Sequence, residues 1–199
     1  MGIIICLSFS FNSCEELLGY DFTKQESVDK IKETIIENLP TDATVSKISF
    51  MTGSGDSFSN KMEIITINYY QPESSQLKKM VIYTGENRVV DKTSSIVNFD
   101  KKHKPGNAVK PSDLDLSHIA SNIGKAARNI EAEDYAFSGL GVYTIIPNTD
   151  RNKTVHEFSI QSRLDSKTKL KGGKMVTETE YYDIPFVADG EGNISAKEK

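Results

Sequence analysis

Three histidines are the side chains in this chain of 199 residues that are best suited to metal binding or acid–base chemistry. His103 lies among lysines, which would repel a cation, and His118 is on a predicted helix with Asp115 one turn earlier. His156 is next to Glu157 in a predicted strand, where cross-strand pairing accounts for it. The sequence contains no His-x-x-x-His and no Cys-x-x-Cys spacing. We therefore expect no metal site, no cofactor and no catalytic residue.

Two glycine-containing segments have residue types found in reactive-serine and calcium loops. Residues 53–55 (Gly-Ser-Gly) lack the Gly-x-Ser-x-Gly spacing of a hydrolase nucleophile and come at the end of a predicted strand. Residues 189–193 (Asp-Gly-Glu-Gly-Asn) lack the sixth-position glycine and the closing glutamate of a calcium loop. Both segments therefore predict turns.

Both cysteines, Cys6 and Cys14, lie in the first fourteen residues, which excludes a disulfide-rich scaffold. The nine uncharged residues Ile3–Phe11 are too few to span a bilayer, which takes about 20 residues. Their length is typical of the apolar part of a signal peptide. Asn12 and Ser13 then precede Cys14. This segment resembles the lipobox of bacterial lipoproteins, in which a small residue directly precedes the modified cysteine.

The lipobox resemblance implies that residues 1–13 are a signal peptide and that Cys14 carries lipid. In that family the cysteine receives a diacylglyceryl group and the new amino terminus is often acylated, for example with palmitate. Residues 14–26 would be a lipidated tether on a membrane of the bacterial cell envelope, on the periplasmic side or the cell surface. The basic start of the signal would lie upstream of Met1. The alternatives are a buried strand over Ile3–Phe11 and a conventional cleaved signal.

The charge balance argues against a nucleic-acid partner. Lys and Arg number 24 against 28 Asp and Glu, which gives a net charge of -4 and no general basic excess. Lys101–Lys104 is a local exception. We interpret it as a solvated loop, with contact to anionic lipid headgroups or glycan as the alternative.

The order of predicted elements recurs along the chain. One helix begins at Ser27 and ends before Pro40, and a second follows the capping-box-like segment 112–115. The alternating or β-branched runs predict strands over 44–51, 62–70, 77–84, 139–146, 154–162, 175–182 and 184–188.

This order predicts an α+β fold of two similar helix-then-antiparallel-strands units with two-layer packing. The first unit would cover 27–92, a linker 93–111 and the second unit 112–199. Ile31 then corresponds to Ile119, and residues 79–81 correspond to 174–176. The doubled order resembles the tandem repeats of PepSY-like and β-lactamase-inhibitor-protein-like domains, and this resemblance carries no functional residue across.

Two tyrosine pairs are the candidate binding residues. Tyr69-Tyr70 and Tyr181-Tyr182 are each predicted to place one ring on either face of a strand, so that the outward rings could form a binding face. Ordinary strand-surface aromatic residues are the alternative.

With Cys14, these residues predict a lipid-anchored, non-enzymatic envelope protein whose partner is a protein of the envelope. The alternatives are an enzyme that acts on envelope polymers and a purely structural component.

Overall fold

The strands and helices were located in a computed structural model, which describes residues 19–52, 59–71, 74–84, 88–92 and 107–197. The first strands and helix are β1 (Tyr20–Asp21), α1 (Gln25–Asn38), β2 (Thr44–Met51), β3 (Lys61–Met62), β4 (Ile64–Gln71), β5 (Ser74–Tyr83) and β6 (Arg88–Lys92). The later ones are α2 (Ile119–Glu131), β7 (Phe137–Ile146), β8 (Val155–Lys171), β9 (Lys174–Ala188) and β10 (Ile194–Ala196). Short 3₁₀ turns lie at Pro111–Asp113 and Arg151–Lys153.

The main sheet has eight antiparallel strands in the order β10-β9-β8-β7-β2-β4-β5-β6, and β1 and β3 form a separate pair. The strands from the two halves of the chain meet where β2 pairs with β7, with Ile48 opposite Ile145 and Phe50 opposite Tyr143. Because that pairing joins the halves, the main sheet contains strands from both halves of the chain.

The predicted fold class, a two-unit α+β fold, is wrong. Within the described residues there are two α-helices, and strands make up 49% of the structure, so the fold is mostly β. The physical reason is the β2–β7 pairing, which removes the free sheet edges that two separate units would each have. The buried residues of both halves accordingly form one continuous cluster.

Both helices bury an apolar stripe. In α1, Val28, Ile31 and Ile35 are fully buried, and the helix ends before Pro40 as predicted. It begins at Gln25, two residues before the predicted cap Ser27. Each aliphatic side chain buried in this way contributes about 1.5–3 kcal/mol.

The second helix begins later than predicted, at Ile119. The segment predicted to start it forms the Pro111–Asp113 turn instead, and Leu114 and Leu116 are buried in the loop that follows. The Asp115 carboxylate accepts hydrogen bonds from the backbone N–H and hydroxyl of Ser117, at 3.1 and 2.6 Å. Those bonds hold a turn at the point where the helix was expected to begin.

The predicted tether contributes to the core. Tyr20 and Asp21 form β1 opposite β3, and Phe22 is fully buried with its ring 4.8 Å from that of Phe50. The segment from Tyr20 onward is therefore held in place by packing. No helix among the described residues is long and apolar enough to cross a membrane.

Candidate functional site

One face of the sheet carries the core and the opposite face is open. Along β2, Ile48 and Phe50 are fully buried. Lys47, Ser49 and Met51, which alternate with them, are partly exposed. Successive side chains of a strand point to opposite faces, so this alternation separates a core face from an open face. We call the second of these the open face.

The open face has a shallow depression of about 400 Å³ at its centre. Four strands contribute to its lining, which consists of Lys47, Ser49, Met51, Thr66, Asn68, Lys79, Val142 and Thr144. The hydroxyls of Ser49 and Thr144 are hydrogen-bonded across β2 and β7 at 3.0 Å. Six of the eight lining residues therefore carry a polar group, and the strands of the sheet position them.

A row of three polar residues crosses this depression. Asn68 of β4 pairs in register with Lys47 of β2 on one side and Lys79 of β5 on the other. The Asn68 side-chain oxygen is buried and has no hydrogen-bond partner among the described residues. The two lysines favour a partner that brings carboxylates.

The dimensions of the open face fit a protein interface. Seven strands from β6 to β9 span about 29 Å at the normal strand spacing, and eight residues of one strand cover about 26 Å. The resulting area, about 750 Å², is close to the area that one partner contributes to a standard protein–protein interface. Val142 lies on this face and is 46% exposed, which gives it an apolar contact point.

The first tyrosine pair does not form a binding face. Tyr69 and Tyr70 are 1% and 5% exposed, so neither ring of this pair is accessible to a partner. The reason is the position of β4 inside the sheet, between β2 and β5, where both faces of the strand are flanked by neighbouring side chains. Burial also raises the pKa of the Tyr70 hydroxyl.

The second tyrosine pair is accessible. Tyr181 and Tyr182 are 46% and 43% exposed and lie in β9 opposite Arg163 and Ser162 of β8. The Tyr182 ring packs edge-on against Tyr135 with 5.5 Å between centroids. The pair lies on β9, near the end of β7. The depression extends from β7 to β5, in the opposite direction across the sheet. The structure therefore does not bring the two predicted pairs together into one site.

A buried polar cluster under α2 was missed in the sequence. His156 is 1% exposed, and its Nδ1 lies 3.1 Å from the Tyr143 hydroxyl. The Asn122 side-chain amide donates to the same hydroxyl at 3.2 Å. We assign the neutral His156 tautomer with Nδ1 unprotonated, in which the Tyr143 O–H donates to Nδ1 while its oxygen accepts from Asn122.

Burial controls the protonation of this cluster. Loss of water around the imidazole, reinforced by the charge of nearby His118, lowers the pKa of His156 to about 4. Burial also raises the pKa of the Tyr143 hydroxyl, although the hydrogen bond from Asn122 opposes the shift. Both groups are therefore neutral at neutral pH. The cluster is enclosed by the core and serves to fix α2 on the sheet.

The alternation within β8 could have revealed this cluster. His156, Phe158 and Ile160 share one face of the strand, and the two apolar residues identify it as the core face. His118, in contrast, is half-buried just before α2.

The segment 189–193 forms the predicted turn. The Asp189 carboxylate accepts hydrogen bonds from the backbone N–H groups of Glu191 and Asn193 at 2.9 and 3.0 Å, and a further bond from the Asn193 side chain. These bonds lower the pKa of Asp189. Within the described ranges, no group of three or more His, Cys, Asp or Glu side chains is arranged to hold a metal ion.

Several predicted features lie outside the described residues, namely Cys14 with the lipobox-like segment, Gly53-Ser54-Gly55, and Lys101–Lys104 with His103. The lipid anchor therefore stays a prediction. Comparisons with protein-family models, with curated proteins and with solved structures find no match for this chain.

Proposed function

We propose that this chain is a lipid-anchored, non-enzymatic protein of the bacterial envelope whose open face binds a protein partner. The observation that supports the binding role is an open face of about 750 Å² whose strands from β5 to β9 are backed by the hydrophobic core. A face held by packing loses little conformational freedom when it binds, which favours affinity.

The chemistry of the depression favours binding over catalysis. Its lining carries lysine, hydroxyl and amide groups, and none of the eight lining residues is a histidine, an aspartate or a glutamate. An acid–base mechanism needs groups that exchange protons near neutral pH, and carboxylates and imidazole are the usual ones. The same lysines, Lys47 and Lys79, would attract an acidic partner surface.

The open face can be tested by comparing two variants of the full chain in pull-downs from bacterial envelope extract. Lys47→Glu with Val142→Glu places two carboxylates on the open face. Ile36→Glu is the matched control, since Ile36 is 40% exposed on α1 and lies on the helix side of the sheet. We expect the face variant to lose at least tenfold of a partner that the wild type and the control both recover.

Equal recovery of the same proteins by all three chains would refute a role for the open face. Thermal melting of each variant, with unchanged midpoints, separates a lost interface from a lost fold.

The anchor has its own test. With Cys14→Ala, labelled palmitate should no longer be incorporated and the protein should leave the membrane fraction. Incorporation that persists in the variant would refute lipidation at Cys14.

A further inference from the structure

The hairpin formed by β8 and β9 extends well beyond the rest of the sheet. The last pairing between β7 and β8 is Phe137 with Ser162, whereas β8 and β9 continue to pair from Arg163 opposite Tyr181 to Lys171 opposite Lys174. We call residues 163–181 the arm. Nine residues of β8 in the arm correspond to a length of about 30 Å. A two-stranded ribbon is marginally stable in water, so contact with another surface would stabilise it.

The end of the arm combines apolar and basic side chains. Leu170 and Met175 face each other across the ribbon and are 71% and 70% exposed. They flank the turn at Gly172–Gly173, where both glycines have positive φ angles. All four charged residues between 167 and 176 are exposed lysines, namely Lys167, Lys169, Lys171 and Lys174.

Charge is distributed unevenly along the arm. Asp165, Glu178 and Glu180 occupy positions nearer the sheet, and Glu178 lies directly opposite Lys167, so the basic end beyond this pair consists of Lys169, Lys171 and Lys174. The whole chain has a net charge of -4, which makes a cluster of three lysines at one end a local feature. A negatively charged surface would thus attract the end of the arm and repel the part near the sheet.

We propose that the end of the arm docks on the surface of a bilayer that contains anionic lipid. Leu170 and Met175 lie two residues from the turn, or about 7 Å along the strand, and so reach the boundary of headgroups and acyl chains. The lysines have long, flexible stems that place their ammonium groups among anionic headgroups.

The charge pattern favours a lipid surface over a second copy of the chain. Two identical arm ends would bring six lysines together, and like charges in contact are repulsive. The lipid contact depends neither on the open face nor on lipid at Cys14, so either of those proposals can fail without affecting it.

The test is co-sedimentation of the full chain carrying Cys14→Ala with vesicles of neutral phosphatidylcholine, alone or mixed with anionic phosphatidylserine. Residues 3–11 are the same in every variant, so differences between variants report on the arm. We expect tighter binding to the anionic vesicles. Lys169→Gln with Lys171→Gln should weaken that binding about fivefold per lysine. Leu170→Ser with Met175→Ser should weaken it at least tenfold.

A control with the same loss of charge is Lys32→Gln with Lys110→Gln, which leaves the arm intact and should bind as the parent does. The proposal is overturned if the parent binds neutral and anionic vesicles equally, or if the arm variants bind as the parent does. An arm variant that converts a dimer to a monomer in sedimentation velocity, with vesicle binding unchanged, would identify a second copy as the occupant instead.

Discussion

Protonation of His156 should make the fold unstable in mild acid. The pKa of His156 is lowered from 6.5 to about 4 in the folded chain because burial disfavours the imidazolium form. Protonation would also turn Nδ1 into a donor, so that the Tyr143 O–H would lose its acceptor while its oxygen accepts from both His156 and Asn122. The folded state therefore resists the proton, whereas the unfolded state takes it up near pH 6.5.

The sign and size of the effect follow from proton linkage. Where the unfolded state binds more protons, the free energy of unfolding falls as the pH falls. Stability should be complete above pH 6.5, decrease between pH 6.5 and 4, and lose no more from this group below pH 4. The pKa difference corresponds to about 3 kcal/mol in all, of which about 2 kcal/mol is lost between pH 7 and pH 5. The lowered pKa values of Asp115 and Asp189 affect stability only at more acidic pH.

Urea unfolding followed by circular dichroism at pH 7, 6 and 5 measures this loss directly. His156→Gln should be less stable at pH 7, since it disturbs the cluster, but its stability should change little down to pH 5. His118→Gln is the control, and it should keep most of the wild-type slope. If His156→Gln loses the same 2 kcal/mol or so between pH 7 and 5 as the wild type, the assignment of the slope to His156 is refuted.

Two further substitutions test the contacts around this cluster. Tyr143→Phe removes the acceptor of the Asn122 amide and should lower the free energy of unfolding, measured with urea, by about 1–3 kcal/mol. A loss of less than about 0.5 kcal/mol would contradict the role of that hydroxyl. Gly192→Ala should cost about 1–3 kcal/mol, because Gly192 has a φ of +76° and an added Cβ would lie 2.9 Å from His118 Nδ1. An unchanged melting midpoint would show that the turn adjusts freely.

Local structure could largely be predicted from the sequence. The strand predicted over 44–51 coincides with β2, because β-branched and apolar residues alternate there between clear turn signals. The stripe of α1 was equally clear. The two runs predicted over 175–182 and 184–188 are one strand, β9, in which Asp183 does not interrupt the pairing with β8.

The arrangement of the strands could not be predicted in the same way. Ile48 and Ile145 each have the alternation of a strand, but alternation identifies the face of a strand and gives no information about its neighbour. The pairing that decides the fold class joins residues almost a hundred positions apart. The open face was missed for a related reason, since Lys47, Asn68 and Lys79 become neighbours only once the strand order is known.

The open face and the end of the arm differ in how firmly the rest of the fold holds them. That difference indicates which of the two surfaces suits a protein and which suits a membrane. The open face is held by one continuous core, so Asn68 and its flanking lysines keep a fixed spacing, as recognition of a protein requires. Among the residues that the structure describes, no third strand pairs with the arm along 163–181, so its end cannot hold a shape with the same accuracy. A bilayer surface needs no matched shape and rewards apolar area and positive charge wherever they meet it. The exposed Leu170 and Met175 among three lysines supply both, so the open face suits a protein and the end of the arm suits a membrane.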